Sequence, residues 1–237
     1  MWRNSFVLII FSIIIFNSFV FSQSDTASRS YWGIKAAIQR SNFSSPDIDN
    51  DSKSDFEHFG INAGFFKKIQ FNRYFSAQTE LTLSMKGHKN IDFGSPDVFS
   101  PYWYDYFEYY KRNYRLDYIQ CPLFFKFYPL ADSKSTYPFL YSGAFAAYNL
   151  NAKCDYEVEY LNGEELSGTY EITDVKPLAY GLLFGAGVEA PYKKVIIEIL
   201  LNYELGLSKI SDSSDYKINI WSATIGIGFN MIKIPQV

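Results

Sequence analysis

Between Tyr74 and Lys86 the side chains separate into two sets at a period of two. One set is Phe75, Ala77, Thr79, Leu81, Leu83 and Met85; the other is Ser76, Gln78, Glu80, Thr82, Ser84 and Lys86. A helix, repeating every 3.6 residues, cannot sort side chains in this way, so the segment reads as a strand with two chemically different faces.

The same alternation recurs along the chain. Tyr31–Gln39 sets Trp32, Ile34, Ala36 and Ile38 against Gly33, Lys35, Ala37 and Gln39. His58–Lys68 sets Phe59, Ile61, Ala63 and Phe65 against Gly60, Asn62 and Gly64. Further strands are expected at 114–128, 137–151, 175–190, 195–207 and 217–230, although residues 137–151 alternate too poorly for their faces to be assigned. Pro122 withholds a backbone donor, which predicts a bulge or irregular pairing beside it. The total is eight strands, with connections alternating long and short; the long ones span 44–57, 87–113 and 152–173. The fold class expected is therefore all-β: an eight-stranded antiparallel transmembrane β-barrel with short periplasmic turns and long extracellular loops.

The N-terminus agrees with export. Arg3 precedes an apolar run from Phe6 to Phe21, and Val20 and Ser22 suit a cut before Gln23. The domains expected are a cleaved signal peptide, 1–22, and one barrel domain, 23–237, in the bacterial outer membrane. An uncleaved membrane helix is the alternative, since the run approaches spanning length. No later segment offers roughly 20 consecutive apolar residues, so the remaining chain meets a membrane only as strands. Phe, Tyr and Trp make up 19% of the chain, and Tyr and Trp suit the membrane interface. The formal charge is −3 with no basic cluster, which disfavours nucleic acid as a partner. Cys121 and Cys154 are too few for a disulfide scaffold, and their expected positions, mid-strand and loop, disfavour a bond.

Alternation does not by itself say which face is wet, and a soluble secreted barrel or sandwich remains open at this point. In a membrane barrel the large apolar face points to lipid and the small or polar face points inward. Lys35, Glu80, Lys126, Glu189, Glu198 and Glu204 are then candidates for a polar network plugging a narrow lumen. Such charges need partners, because burying them unpaired is costly.

Two loops attract attention. Tyr102, Trp103, Tyr104, Tyr106, Phe107, Tyr109 and Tyr110 form an aromatic stretch, a candidate surface for binding protein or glycan. The acidic loop 47–55 has oxygens at alternate positions but lacks the central Gly and final Glu of a calcium loop, so calcium binding there is left open. His58 and His88 lack further convergent ligands for a zinc site, and no nucleophile elbow is present. Gly181 to Gly187 lacks the strand-to-helix context of a nucleotide loop and fits a crowded lumen face instead. No catalytic residue, metal or cofactor is assigned.

Several runs also resemble one family. They are Tyr31-Trp32-Gly33-Ile34-Lys35-Ala36, Phe75-Ser76-Ala77-Gln78-Thr79-Glu80-Leu81, and Leu116-Asp117-Tyr118-Ile119-Gln120-Cys121-Pro122-Leu123-Phe124-Phe125-Lys126. Tyr137-Pro138-Phe139-Leu140-Tyr141-Ser142-Gly143, Phe184-Gly185-Ala186-Gly187-Val188-Glu189 and residues 198–207 follow in the same order. This pattern resembles the PorT-like outer-membrane β-barrel family of Bacteroidetes. The resemblance implies an eight-strand, porin-like barrel, with one branch needed for protein secretion and gliding. Met231 to Val237 depart from the usual ending on an aromatic, with Phe229 as the equivalent residue.

The functional expectation is a non-enzymatic outer-membrane barrel with a plugged lumen, acting in envelope structure or in partner binding through its loops. A narrow channel or secretion-associated component is the main alternative, and a lipid-modifying enzyme at the rim ranks lower. Outer-membrane lipid and other envelope proteins are the partners this reading implies.

Overall fold

The computed structural model describes residues 29–44, 54–93, 107–130, 136–160, 163–211 and 216–230. The expected signal peptide and the loop 45–53 lie outside these residues. Nine strands are present among them: β1 Arg29–Ser44, β2 Ser54–Gln70, β3 Phe75–Phe93, β4 Phe107–Phe127, β5 Tyr137–Tyr160, β6 Glu165–Glu171, β7 Leu178–Tyr192, β8 Val195–Gly206 and β9 Lys217–Asn230.

Each pairing is antiparallel, and the order runs β4-β3-β2-β1-β9-β8-β7-β5-β6 with β4 also paired to β5. The ladder thus returns on itself through the β4–β5 seam, which runs from Phe127↔Leu140 to Phe107↔Tyr160. The expected count of eight is corrected by β6, which pairs with β5 alone from Lys153↔Glu171 to Glu159↔Glu165.

The face assignments follow the period of two. On β1, Gln39 is 1% exposed while its neighbour Ile38 is 69% exposed. On β3, Ser76, Gln78, Glu80, Thr82, Ser84 and Lys86 are all buried, and Phe75, Leu83 and Met85 are exposed. Phe65, Phe125, Leu140, Ile199, Leu201, Trp221 and Ile225 likewise point away from the enclosed side. The polar face is the inner one.

The inner face is not made only of small and polar groups. β4 and β5 turn Tyr118, Phe124, Tyr128, Phe139, Tyr141 and Phe145 inward, and these pack with Leu183, Leu200 and Ile220. Phe124 stacks on Tyr141 with ring centroids 4.8 Å apart, and Phe139 lies 5.9 Å from Tyr141. The strands beside the rings carry glycine: Gly185 pairs with Tyr141, and a Cβ there would lie 2.5 Å from Tyr141 Oη, while one at Gly228, two strands from Phe66, would lie 2.9 Å from Phe66 Cζ. Large rings from one strand lie over the space that glycine leaves on its neighbours.

Three local irregularities have separate causes. Register shifts by one residue between Asp117↔Asn151 and Tyr118↔Asn149, leaving Leu150 as an extra residue on β5. That bulge reverses the parity of β5 only beyond Asn149; before it the parity is constant, and residues 137–151 alternate poorly as a sequence because inward Phe139, Tyr141, Phe145 and Ala147 are as apolar as outward Leu140, Ala144 and Ala146. Pro122 causes no bulge, but the irregular pairing expected beside it is present: the β3–β4 ladder lacks pairs at Glu80/Pro122 and Leu81/Cys121. Its pairing toward β3 passes from Thr79↔Leu123 to Thr82↔Gln120 without a shift, while its other side pairs in register with Phe145. At the tip of the β7–β8 hairpin, Lys193 adopts φ 56°, a left-handed conformation.

Two expected loops prove to be largely strand. β3 continues to Phe93 and β4 begins at Phe107, so much of 87–113 is paired; most of 152–173 is β5 and β6. Above Tyr148↔Leu178, the last pair that β5 makes with β7, strands β3, β4, β5 and β6 run on as a projecting sheet. At about 3.4 Å per residue it stands roughly 30–40 Å along the strands beyond that rim.

Candidate functional site

The interior carries two groups of paired charges. Lys126 Nζ donates to Glu189 Oε1 at 2.9 Å and to Glu198 Oε2 at 2.6 Å, with all three residues buried. Lys35 pairs with Glu80 and Lys68 with Glu189. Lys86 Nζ reaches Glu204 Oε2 at 3.0 Å. Neutral donors join these pairs. Gln78 Nε2 bridges Glu80 at 2.9 Å and Glu198 at 3.1 Å, Gln120 Nε2 meets Glu204 at 3.0 Å, and Tyr128 Oη donates to Glu189 at 2.8 Å.

Of the six interior residues singled out from the sequence, Lys35, Glu80, Lys126, Glu189 and Glu198 are joined by ion pairs and the Gln78 bridge, while Glu204 is held apart from them by Lys86 and Gln120, beside the same small void as Lys35 and Glu80. That set holds two lysines and four glutamates, so it is unbalanced. Lys68 and Lys86, which sequence reasoning missed, supply the two missing cations. The signal was available: both share their strand's inward parity, and a sealed interior with surplus negative charge is too costly to persist.

Aromatic rings add to the setting. Lys126 Nζ sits 4.3 Å from the Phe139 ring centroid, Lys86 Nζ 4.8 Å from that of Phe145, and Lys68 Nζ 5.1 Å from that of Tyr31. The ring faces carry partial negative charge that favours the ammonium groups. Around Lys35, Glu80, Phe124 and Glu204 the remaining void is about 10 Å³, room for no more than a single water.

Above this layer the loop end is covered. Ile172, Val175 and Ile210 pack on the interior cluster. Lys176 N donates to Ile210 O at 2.7 Å, Asn149 N to Pro177 O at 2.8 Å, and Ser211 Oγ to Asp174 Oδ2 at 2.5 Å. Beneath them, beside Lys86, Tyr118 and Phe145, a space of about 20 Å³ is left.

The projecting sheet differs in chemistry. On the face continuous with the interior, register places Tyr110, Arg112 and Tyr114 of β4 beside Val158, Tyr156 and Cys154 of β5, with Tyr170 of β6 beyond. Tyr156 and Tyr170 lie 6.1 Å apart, and the Arg112 guanidinium lies 5.1 Å from the Tyr110 ring. The opposite face carries charge: Lys111 Nζ pairs with Glu157 Oε2 at 2.5 Å, and Thr169 Oγ1 donates to Asp155 Oδ1 at 2.7 Å.

Of the aromatic stretch expected to form a loop, Phe107, Tyr109 and Tyr110 belong instead to paired β4, because the β3–β4 ladder reaches Phe93↔Tyr109. Tyr102, Trp103, Tyr104 and Tyr106 lie outside the described residues, as does loop 45–53. His58 Nδ1 lies 3.0 Å from Asn113 Oδ1, and His88 is buried on β3. Among the described residues no group of three or more His, Cys, Asp or Glu converges as a metal site would require. Cys121 and Cys154 are both free thiols; Cys154 is buried on a strand, not in a loop.

No curated protein matches the chain. Among solved structures, the attachment invasion locus protein Ail of Yersinia pestis is 14% identical over 86% of this chain and 99% of its own, with a TM-score of 0.41. Neisserial surface protein A is 14% identical over 85% and 97%, with a TM-score of 0.45. OprG of Pseudomonas aeruginosa is 10% identical over 86% and 95%, with a TM-score of 0.47. The family model described as outer membrane protein beta-barrel domain matches residues 21–212. That match is to the general family and is broader than the PorT-like branch. By this match, which spans most of the strands described above, the chain belongs to the outer membrane protein beta-barrel domain family and is a protein of the bacterial outer membrane.

Proposed function

We propose that the eight long strands close into a barrel with its lumen shut to solutes, and that the molecule acts without catalysis, in envelope structure or partner binding. The observation that carries this reading is the middle of the interior: four lysines and four glutamates pair among themselves, and beside Lys35, Glu80 and Glu204 the void is about 10 Å³. A conducting pore needs a continuous wet path, whereas here the rings, paired charges and covering segments occupy it. In this reading residues 1–22 are removed on export, the short turns face the periplasm, and the sheet of β3 to β6 projects from the cell. A place in the PorT-like branch belongs to the same proposal, carried by the quoted runs alone.

Partner binding is assigned to the projecting sheet because its tyrosines and its acidic residues, Asp155, Glu157, Glu159, Glu164, Glu165 and Glu171, lie beyond the ring. Rigid aromatic groups with hydroxyl tips suit recognition. Planar-bilayer recording tests the shut lumen. The purified barrel is expected to give no reproducible unitary current, and stable steps abolished by filling the interior would overturn the reading.

A further inference from the structure

We propose that the outer edge of β6 binds an extended segment of another protein as an added strand, and that this segment carries lysine or arginine at alternate positions. The inference rests on the projecting sheet being the partner-binding part, and it specifies what that part binds. Among the described residues β6 is the last strand of the sheet, paired with β5 and with no other strand.

Hydrogen-bond parity identifies which backbone groups face outward. Tyr160 N donates to Glu164 O and Ile172 N to Ala152 O, both at 2.9 Å, one at each end of the β5–β6 ladder. Both pairs continue the register that runs from Lys153↔Glu171 to Glu159↔Glu165, in which hydrogen-bonded and non-hydrogen-bonded pairs alternate. Leu166, Gly168 and Tyr170 therefore direct their N–H and C=O groups at β5. Glu165, Ser167, Thr169 and Glu171 turn theirs to the far side, where no described backbone group meets them. Every residue of β6 except Gly168 is exposed. Edges of this kind are ordinarily blunted by Lys, Pro or a bulge, yet β6 contains neither residue and its ladder with β5 runs without a shift. Main-chain groups left in this state are what an added strand engages.

Charge and shape select the occupant. β6 holds two glutamates, Glu165 and Glu171, and no cation. On the same face, register sets Glu165 beside Glu159, Ser167 beside Glu157 and Thr169 beside Asp155, with Lys153 beside Glu171. An added strand with cations at every second position lays them along this acidic row. Its other face meets Leu166 and Tyr170, 48% and 44% exposed, which suit apolar residues in between. A second copy of this chain fits worse. Antiparallel self-pairing of Glu165–Glu171 centred on Gly168 sets Glu165 opposite Glu171 twice, and like charges directly opposite are destabilising.

The full chain in zwitterionic micelles tests the edge with three short peptides: alternating Lys-Val, alternating Glu-Val, and Lys-Val with its alternate amides N-methylated. Without peptide, hydrogen exchange is expected to be fast at the amides of Glu165, Ser167, Thr169 and Glu171 and slow at those of Leu166, Gly168 and Tyr170. The Lys-Val peptide is expected to bind saturably and to slow the first set about tenfold or more, while the other two peptides do neither. Ser167→Pro removes one outward donor without touching the bonds to β5, and is expected to weaken binding about tenfold. If that variant loses the slow amides, Glu165→Lys/Glu171→Lys replaces it: the backbone is kept, and the preference is expected to pass to the Glu-Val peptide. Slow exchange of the outward amides in the free chain, equal binding of the N-methylated peptide, or no saturable binding of Lys-Val overturns the proposal. Binding that leaves the outward amides unchanged also overturns it, while leaving partner binding by the sheet in place.

Discussion

The interior of the ring and the sheet projecting from it are built on the same strands, yet they handle charge in opposite ways. Lys126 and Glu198 are fully enclosed and each has more than one partner. Lys111 and Glu157, on the projecting part of β4 and β5, remain 34% and 37% exposed at the side chain. Water solvates the second pair whether or not it forms, so its geometry has little energetic weight. The first pair has no such alternative. Charge is a packing constraint below the rim and a surface property above it.

Lys126→Met breaks this contrast most severely. It leaves two glutamates facing a buried methyl group, and the expected destabilisation is about 3–5 kcal/mol, read as a lowered urea midpoint for the barrel refolded in micelles. Pairing it with Glu198→Leu should recover much of the loss, since a buried ion pair is often replaceable by well-packed apolar groups. A loss below about 1 kcal/mol for Lys126→Met would put the interior charges in the same class as surface pairs.

Gly228→Val probes the other means of filling the interior. The added atoms meet Phe66 and Ile196, each 2.9 Å from the position of a Cβ, and overpacking of this kind costs about 1–3 kcal/mol. Phe66→Ala in the same chain should restore part of it; if the two losses simply add, ring and glycine are not packed against each other. The smallest effect belongs to Lys111→Ala, expected at less than about 1 kcal/mol and diminished further by salt. A larger loss would mean that the projecting sheet is as tightly coupled as the interior.

Legibility in the sequence followed the same boundary. Between lipid and a narrow interior, every residue of β3 from Phe75 to Lys86 must satisfy one of two solvents, so parity alone revealed both faces. The inward charges were readable for the same reason, and their imbalance pointed to Lys68 and Lys86 had neutrality been required. The faces of β5 were hidden because its inward side is aromatic, Phe139, Tyr141 and Phe145, and so differs little in polarity from outward Leu140, Ala144 and Ala146. On β6 both faces meet water, so Glu165–Glu171 carries no alternation and reads as a polar loop.

The β1–β9 seam has a consequence for the order of events. Tyr31 pairs with Asn230 and Ser44 with Lys217, so the first strand to emerge during synthesis waits for the last. Pairings so distant in the chain are slow to form, because loop closure precedes their reward. Until β9 arrives, β1 presents an unsatisfied edge that hydrocarbon cannot tolerate. Insertion is therefore a step for the finished chain, and shortening it by one strand should leave an aggregating precursor instead of a smaller membrane protein.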